Sequence, residues 1–187
     1  MTWLIVILIA LAILIVVTII VQFNKLRRLD QLCIGAFADI DTLLTKRADL
    51  VPNLVETVKG SRDFESSTIE SVTKARSESV QAQGVEAKAQ ADGAMTAALG
   101  RLFAVAEAYP QLTATGNFRD LQAQLAEVES QLQFSRQFYN DTVVTFNTAL
   151  RTIPSMWFAG IAGVSMRPVY QENDAERRAA PRVDFSD

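Results

Sequence analysis

The sequence predicts an all-α protein. An N-terminal transmembrane helix continues into an elongated antiparallel bundle of three long helical stretches, and an irregular C-terminal tail follows. Three observations carry that reading. From Trp3 to Val21 every residue except Thr18 is apolar, later apolar residues recur three and four apart, and no stretch alternates apolar and polar in strand fashion. The expected division is an anchor over 1–23, a helical bundle over 24–153 and a tail over 154–187.

The anchor comes first. At about 1.5 Å per residue, its apolar run approximately matches a hydrocarbon core of about 30 Å. Trp3, Leu4, Ile9, Leu14, Ile19 and Val21 would face lipid. A cleaved signal peptide would need a charged start, a shorter apolar core and a small-residue cleavage site, and none is found here, so the span is expected to be retained. Lys25, Arg27 and Arg28 flank it on the C-terminal side. The positive-inside rule then places the bundle in the cytoplasm of a bacterial inner membrane; the opposite orientation would place it in the periplasm.

The first soluble helix runs from Asn24 to Lys59, continuous with the span. Ile34, Phe37, Leu44, Ala48, Val51, Val55 and Val58 form one stripe, and Ile40, Leu43, Leu50 and Leu54 form a second, so the helix faces more than one neighbour. Gly60 is placed for a left-handed cap. Pro52 lies inside the helix, where it crowds the carbonyl of Ala48 and removes its hydrogen-bond donor. A kink is expected there, with a nearby polar side chain or water satisfying that carbonyl.

The middle stretch, Phe64 to Tyr109, is weak over "SVQAQGVEAKAQADGAM", where interior glycines disfavour helix. Unbroken, its about 45 residues would overrun neighbours of about 36 and about 33 in a bundle roughly 50 Å long. A turn, bulge or change of direction near 80–93 is therefore expected, giving about four soluble helices. The last helix shows the clearest periodicity, through Phe118, Leu121, Leu125, Val128, Leu132, Tyr139 and Phe146; Asn117 would cap it and Pro154 end it. An up-down-up path makes this helix parallel to the first. That path puts Tyr109 and Pro110 near the membrane and the tail at the distal tip. There Trp157, Phe158 and Ile161 would fold back on the bundle or, with Tyr170 and Phe185, contact another protein or another copy rather than insert into lipid.

The chemistry is constrained by what the chain lacks. Its 18 basic and 21 acidic residues give a net charge of −3, with no basic stripe for nucleic acid, and it contains no histidine. Asp39, Asp41 and Asp49 fall at different heights on a helix, so no metal site and no cofactor are expected. The lone Cys33 reads as a small buried hydrophobe.

Several segments, "RADLVPNLVETVKG", "ALGRLFAVAEAYPQL", "NFRDLQAQLAEVES", "RQFYNDTVVTFNT" and "RPVYQENDAERRAAPRVDF", occur in an order that resembles the LemA family of bacterial membrane proteins. Gln137, Phe146 and Ile153 depart from its usual pattern. The resemblance implies an anchored helical bundle, and one branch of the family is implicated in building the magnetosome membrane. It implies no established enzymatic activity.

Around Pro52, the residues Arg47, Asp49, Asn53 and Glu56 invite two readings: a polar site, or an interhelical polar layer shared with Arg76, Arg136, Tyr139 and Asn140. The layer is favoured, since buried opposite charges fix which helices pair and in what register. The function expected is non-enzymatic. Bundle and tail would drive homo-oligomerisation that organises or remodels the bilayer. The alternatives are an adaptor docking an unidentified protein and a small-molecule or metal-binding helical module.

Overall fold

The computed structural model describes residues 2–60 and 64–171. Among them there is no strand. Helix α1 spans Thr2–Lys59, α2 Ser66–Gln81, α3 Gly84–Ala106, α4 Pro110–Thr113 and α5 Gly116–Arg151; a 3₁₀ turn, Ser155–Phe158, leads into the short α6, Ala159–Ala162. The chain forms two compact units. Of the described residues, one comprises 2–41 with Gln133–Val169, and the other those of Thr42–Leu132 with Tyr170 and Gln171.

In the first unit α1 and α5 run antiparallel. Phe37 meets Tyr139 in a tilted ring contact, with centroids 5.7 Å apart. Further back along α1, Phe23, Leu26 and Leu29 share a cluster with Ala149, Leu150, Phe158, Ala162 and Val164. Beyond α6, closed by Gly163 in the left-handed region at φ 62°, the chain turns back along the two helices. Asn147 brackets Arg167, donating to its carbonyl at 2.8 Å and accepting from its amide at 3.0 Å. The Arg167 guanidinium reaches Asp30 at 2.7–2.8 Å, and the Tyr139 hydroxyl donates to the Pro168 carbonyl at 2.9 Å.

In the second unit α2 folds back along α1, with Arg76 reaching Ala48. The expected break in the middle stretch falls at Ala82–Gln83, both extended, and Gly84 opens α3 at φ 79°. It is a full reversal. Phe64 and Tyr109, at opposite ends of the two-helix hairpin, meet at 5.3 Å. A further reversal through α4 brings Phe118 of α5 against Phe103 of α3 at 6.0 Å. Buried Val51, Leu54, Val58, Val72, Met95, Leu99, Leu102, Leu121 and Leu125 fill the space between these helices.

Three reversals therefore separate α1 from α5, where an up-down-up path has two. That corrects the expected parallel arrangement of first and last helices. It also corrects the place of the tail: Phe158 packs beside Phe23 and Leu26, immediately after the apolar span, and not at a distal tip. Tyr109, expected near the membrane, instead meets Phe64 beside the α1–α2 turn. Two caps differ as well. Gly60 lacks a positive φ, which among the described glycines belongs to Gly84 and Gly163. Asn117 lies inside α5, whose Phe118 amide is accepted by the Thr115 hydroxyl at 3.4 Å.

Candidate functional site

The apolar part of α1 is long enough to cross a membrane, and none of it is buried within the protein. Trp3, Leu4, Ile9, Leu14 and Val21 are exposed and Ile19 is half-exposed. The single polar residue of the run is satisfied locally, because Thr18 donates to the Leu14 carbonyl at 2.8 Å. Lys25, Arg27 and Arg28 follow, all exposed.

The most concentrated polar chemistry lies in the second unit, around Arg47. This guanidinium is 2% exposed. It pairs with the Asp92 carboxylate of α3, donates to the Asp92 carbonyl at 3.2 Å and to Thr96 Oγ1 at 3.1 Å, and reaches Glu129 of α5 at 2.7 Å. Asp92 is fully buried. Its second oxygen accepts from the Tyr170 hydroxyl at 2.7 Å, and that hydroxyl also lies 3.4 Å from the Lys88 carbonyl. Burial draws the Lys88 ammonium below its ordinary value of 10.5. Four segments thus converge on one ion pair. Two charges withdrawn from water hold together only when their remaining donors and acceptors are also satisfied, and Thr96, Glu129 and Tyr170 do that here.

A second polar contact surrounds Pro52. The Ala48 carbonyl, four residues back and without its usual amide partner, accepts from Arg76 Nε at 2.9 Å. A side chain on α2 thus takes the acceptor that the proline leaves open in α1, which remains one helix.

The rest of the expected polar layer is dispersed. Asp49, Asn53 and Glu56 are exposed, Glu56 beside Lys59 at 3.7 Å, because Ala48, Val51, Leu54, Val55 and Val58 take the inward positions. Arg136, Tyr139 and Asn140 belong to the first unit. There burial raises the Tyr139 phenol above its ordinary value; Cys33 adds to the shift and Arg167 opposes it. Burial also raises the Cys33 thiol, with Arg167 lowering it and Asp30 raising it.

Sequence reading missed Asp92, Thr96 and Glu129. A signal for Asp92 was present, since Ala89, Met95, Leu99 and Leu102 form the buried face of α3 and Asp92 continues their three- and four-residue spacing. An acid on an apolar stripe asks for a buried cation. Tyr170, expected as an outward contact, is only 4% exposed and is internal to its own unit. Phe158 is half-buried, whereas Trp157 and Ile161 are 63% and 67% exposed. Phe185 lies outside the described residues. No group of three or more metal-ligating side chains among the described residues is placed to hold an ion.

A helical protein carried on one exposed apolar helix, with its buried charges paired internally, is by class a membrane-associated protein. The chain belongs to the LemA family, whose profile matches residues 36–185. It is similar to magnetosome proteins MamQ 2 and MamQ 1 of Paramagnetospirillum magneticum, each 23% identical over 186 residues that cover 86% of this chain and 68% of the relative. Magnetosome protein MamQ of Magnetospirillum gryphiswaldense matches at the same identity and coverage.

Proposed function

We propose that this chain is a non-enzymatic, single-pass protein of the bacterial inner membrane, with its helical part in the cytoplasm, and that it self-associates laterally to organise membrane. One observation carries the self-association. Phe134 and Phe138, one turn apart on α5, are 73% and 44% exposed. Large aromatic side chains at i and i+4 form a continuous apolar patch on a helix face. Copies tethered to the same bilayer meet in two dimensions at high effective concentration, so a modest patch suffices to associate them. The Arg47 cluster supports a structural role for the polar centre, since its charges are spent on one another. The relatives named as magnetosome proteins support a role in membrane organisation.

The test is the mass of the detergent-solubilised full-length protein, by light scattering. The expected result is a multiple of the 20.6 kDa chain that falls toward one copy when Phe134 and Phe138 are both replaced by serine. A single-chain mass for the unaltered protein would sink self-association and leave the adaptor as the reading to test.

A further inference from the structure

The first unit places a second apolar surface beside the membrane span. The Ser155 hydroxyl donates to Gln22 Oε1 at 2.8 Å. Gln22 directly follows Val21, the last residue of the apolar run, so it lies about 1.5 Å further along the helix axis, and Leu26 about 7.5 Å. The headgroup layer on each side of a bilayer is roughly 5–8 Å deep, from the difference between total and hydrocarbon thickness. The 3₁₀ turn and α6, fixed to Gln22, Phe23 and Leu26, therefore sit at headgroup level.

These elements divide into two faces. Phe158 and Ala162 point inward onto Phe23 and Leu26. Ile153, Met156, Trp157 and Ile161 point outward, with exposures of 66, 44, 63 and 67%. Four large apolar side chains displayed by about nine residues are costly in water, and tryptophan favours the membrane–water interface. Lys25, Arg27, Arg28 and Arg151 are all exposed on the flanking turns of α1 and α5. Exposed apolar groups beside a set of cations match a surface of acyl chains below and anionic phosphates above.

We infer that the 153–162 segment is a second membrane contact, an interfacial wedge whose Ile153, Met156, Trp157 and Ile161 insert into the headgroup region of the leaflet from which α1 emerges. The inference rests on the membrane anchoring proposed above but not on self-association. Its consequence is geometric. A lone span leaves a bundle free to tilt about its exit point, whereas a second contact fixes the tilt and adds volume to one leaflet.

Trp157 provides its own probe, because the chain contains two tryptophans and Trp3→Phe leaves it alone. The full-length single-tryptophan protein is placed one copy per nanodisc, in phosphatidylethanolamine with phosphatidylglycerol. Lipids brominated near the headgroup should then remove most of the emission, while aqueous iodide should have little effect. Ile161→Asp, at an exposed position that folding tolerates, should shift the emission to the red and restore iodide quenching. Free access of iodide in the original protein would overturn the inference. So would protection from both quenchers, which would mean that protein covers Trp157. One copy per disc keeps this outcome independent of any failure to self-associate.

Discussion

Arg47 offers the sharpest test at the scale of single residues. Removing one member of a buried ion pair strands the other in a low-dielectric interior, so Arg47→Ala should destabilise the protein by about 3–5 kcal/mol, read from denaturation followed by circular dichroism in detergent. Replacing both charges at once, Arg47→Met with Asp92→Leu, should recover most of that loss, because no lone charge is left buried and Glu129 reaches solvent at 41% exposure. If the double variant is as unstable as the single one, the ion pair is not the source of the effect. Tyr139 and Cys33 give a pH signature. Both have folded-state values raised above their ordinary 10.0 and 9.0, so the unfolded chain loses these protons first as pH rises. Below pH 9 their contribution is fully present; above it, stability should fall with increasing pH. Tyr139→Phe should make that alkaline decline shallower, while costing about 1 kcal/mol at neutral pH through the lost bond to Pro168.

The decisive element is the α2–α3 reversal. Two glycines of the middle stretch lie in unlike places. Gly84 has φ 79°, a conformation that costs a side-chain-bearing residue about 1–2 kcal/mol, although the space around it is open. Gly93 lies inside α3 with an ordinary φ and nothing within 4 Å of an added Cβ. Gly84→Ala should therefore lower stability by about 1–2 kcal/mol, whereas Gly93→Ala should raise it by up to about 1 kcal/mol. Equal effects at both positions would place the turn elsewhere. The low helix propensity around these glycines announced a break, but its geometry depended on contacts such as Phe64 with Tyr109, which no local pattern specifies.

For the whole molecule, the tail is the structural surprise. Arg167 and Pro168 are tied to Asp30, Asn147 and Tyr139 in the first unit, and Tyr170 closes the Arg47 cluster in the second. Truncation after Thr152 should thus lower the melting temperature well beyond the effect of Tyr170→Phe, which removes one hydrogen bond to a charged group and should cost about 1.5–3 kcal/mol. A tail serving only as an external contact would leave the melting temperature unchanged when removed. Scanning calorimetry on the two variants distinguishes the cases.

The long apolar N-terminal helix, the all-helical class, the break in the middle stretch and the end of α5 before Pro154 were legible because each depends on local chemistry. A long apolar run, a 3.5-residue period, glycines within a weak helix and a proline act over a turn or two of chain. Arg47 was legible only as one of four polar residues around Pro52, of which it alone is buried. Its partners were not, since Asp92, Glu129 and Tyr170 are distant in sequence and reach it only once the helices have chosen their directions. Tertiary structure made that choice. Whether a break between two amphipathic segments bends or reverses the chain is decided by which apolar faces can be buried together, and a reversal here buries Val72 and Ala75 of α2 with Met95, Ala98 and Leu102 of α3 in one core. With that additional reversal α5 runs back toward the apolar start of α1, which brings Phe158 and Ala162 beside Phe23 and Leu26.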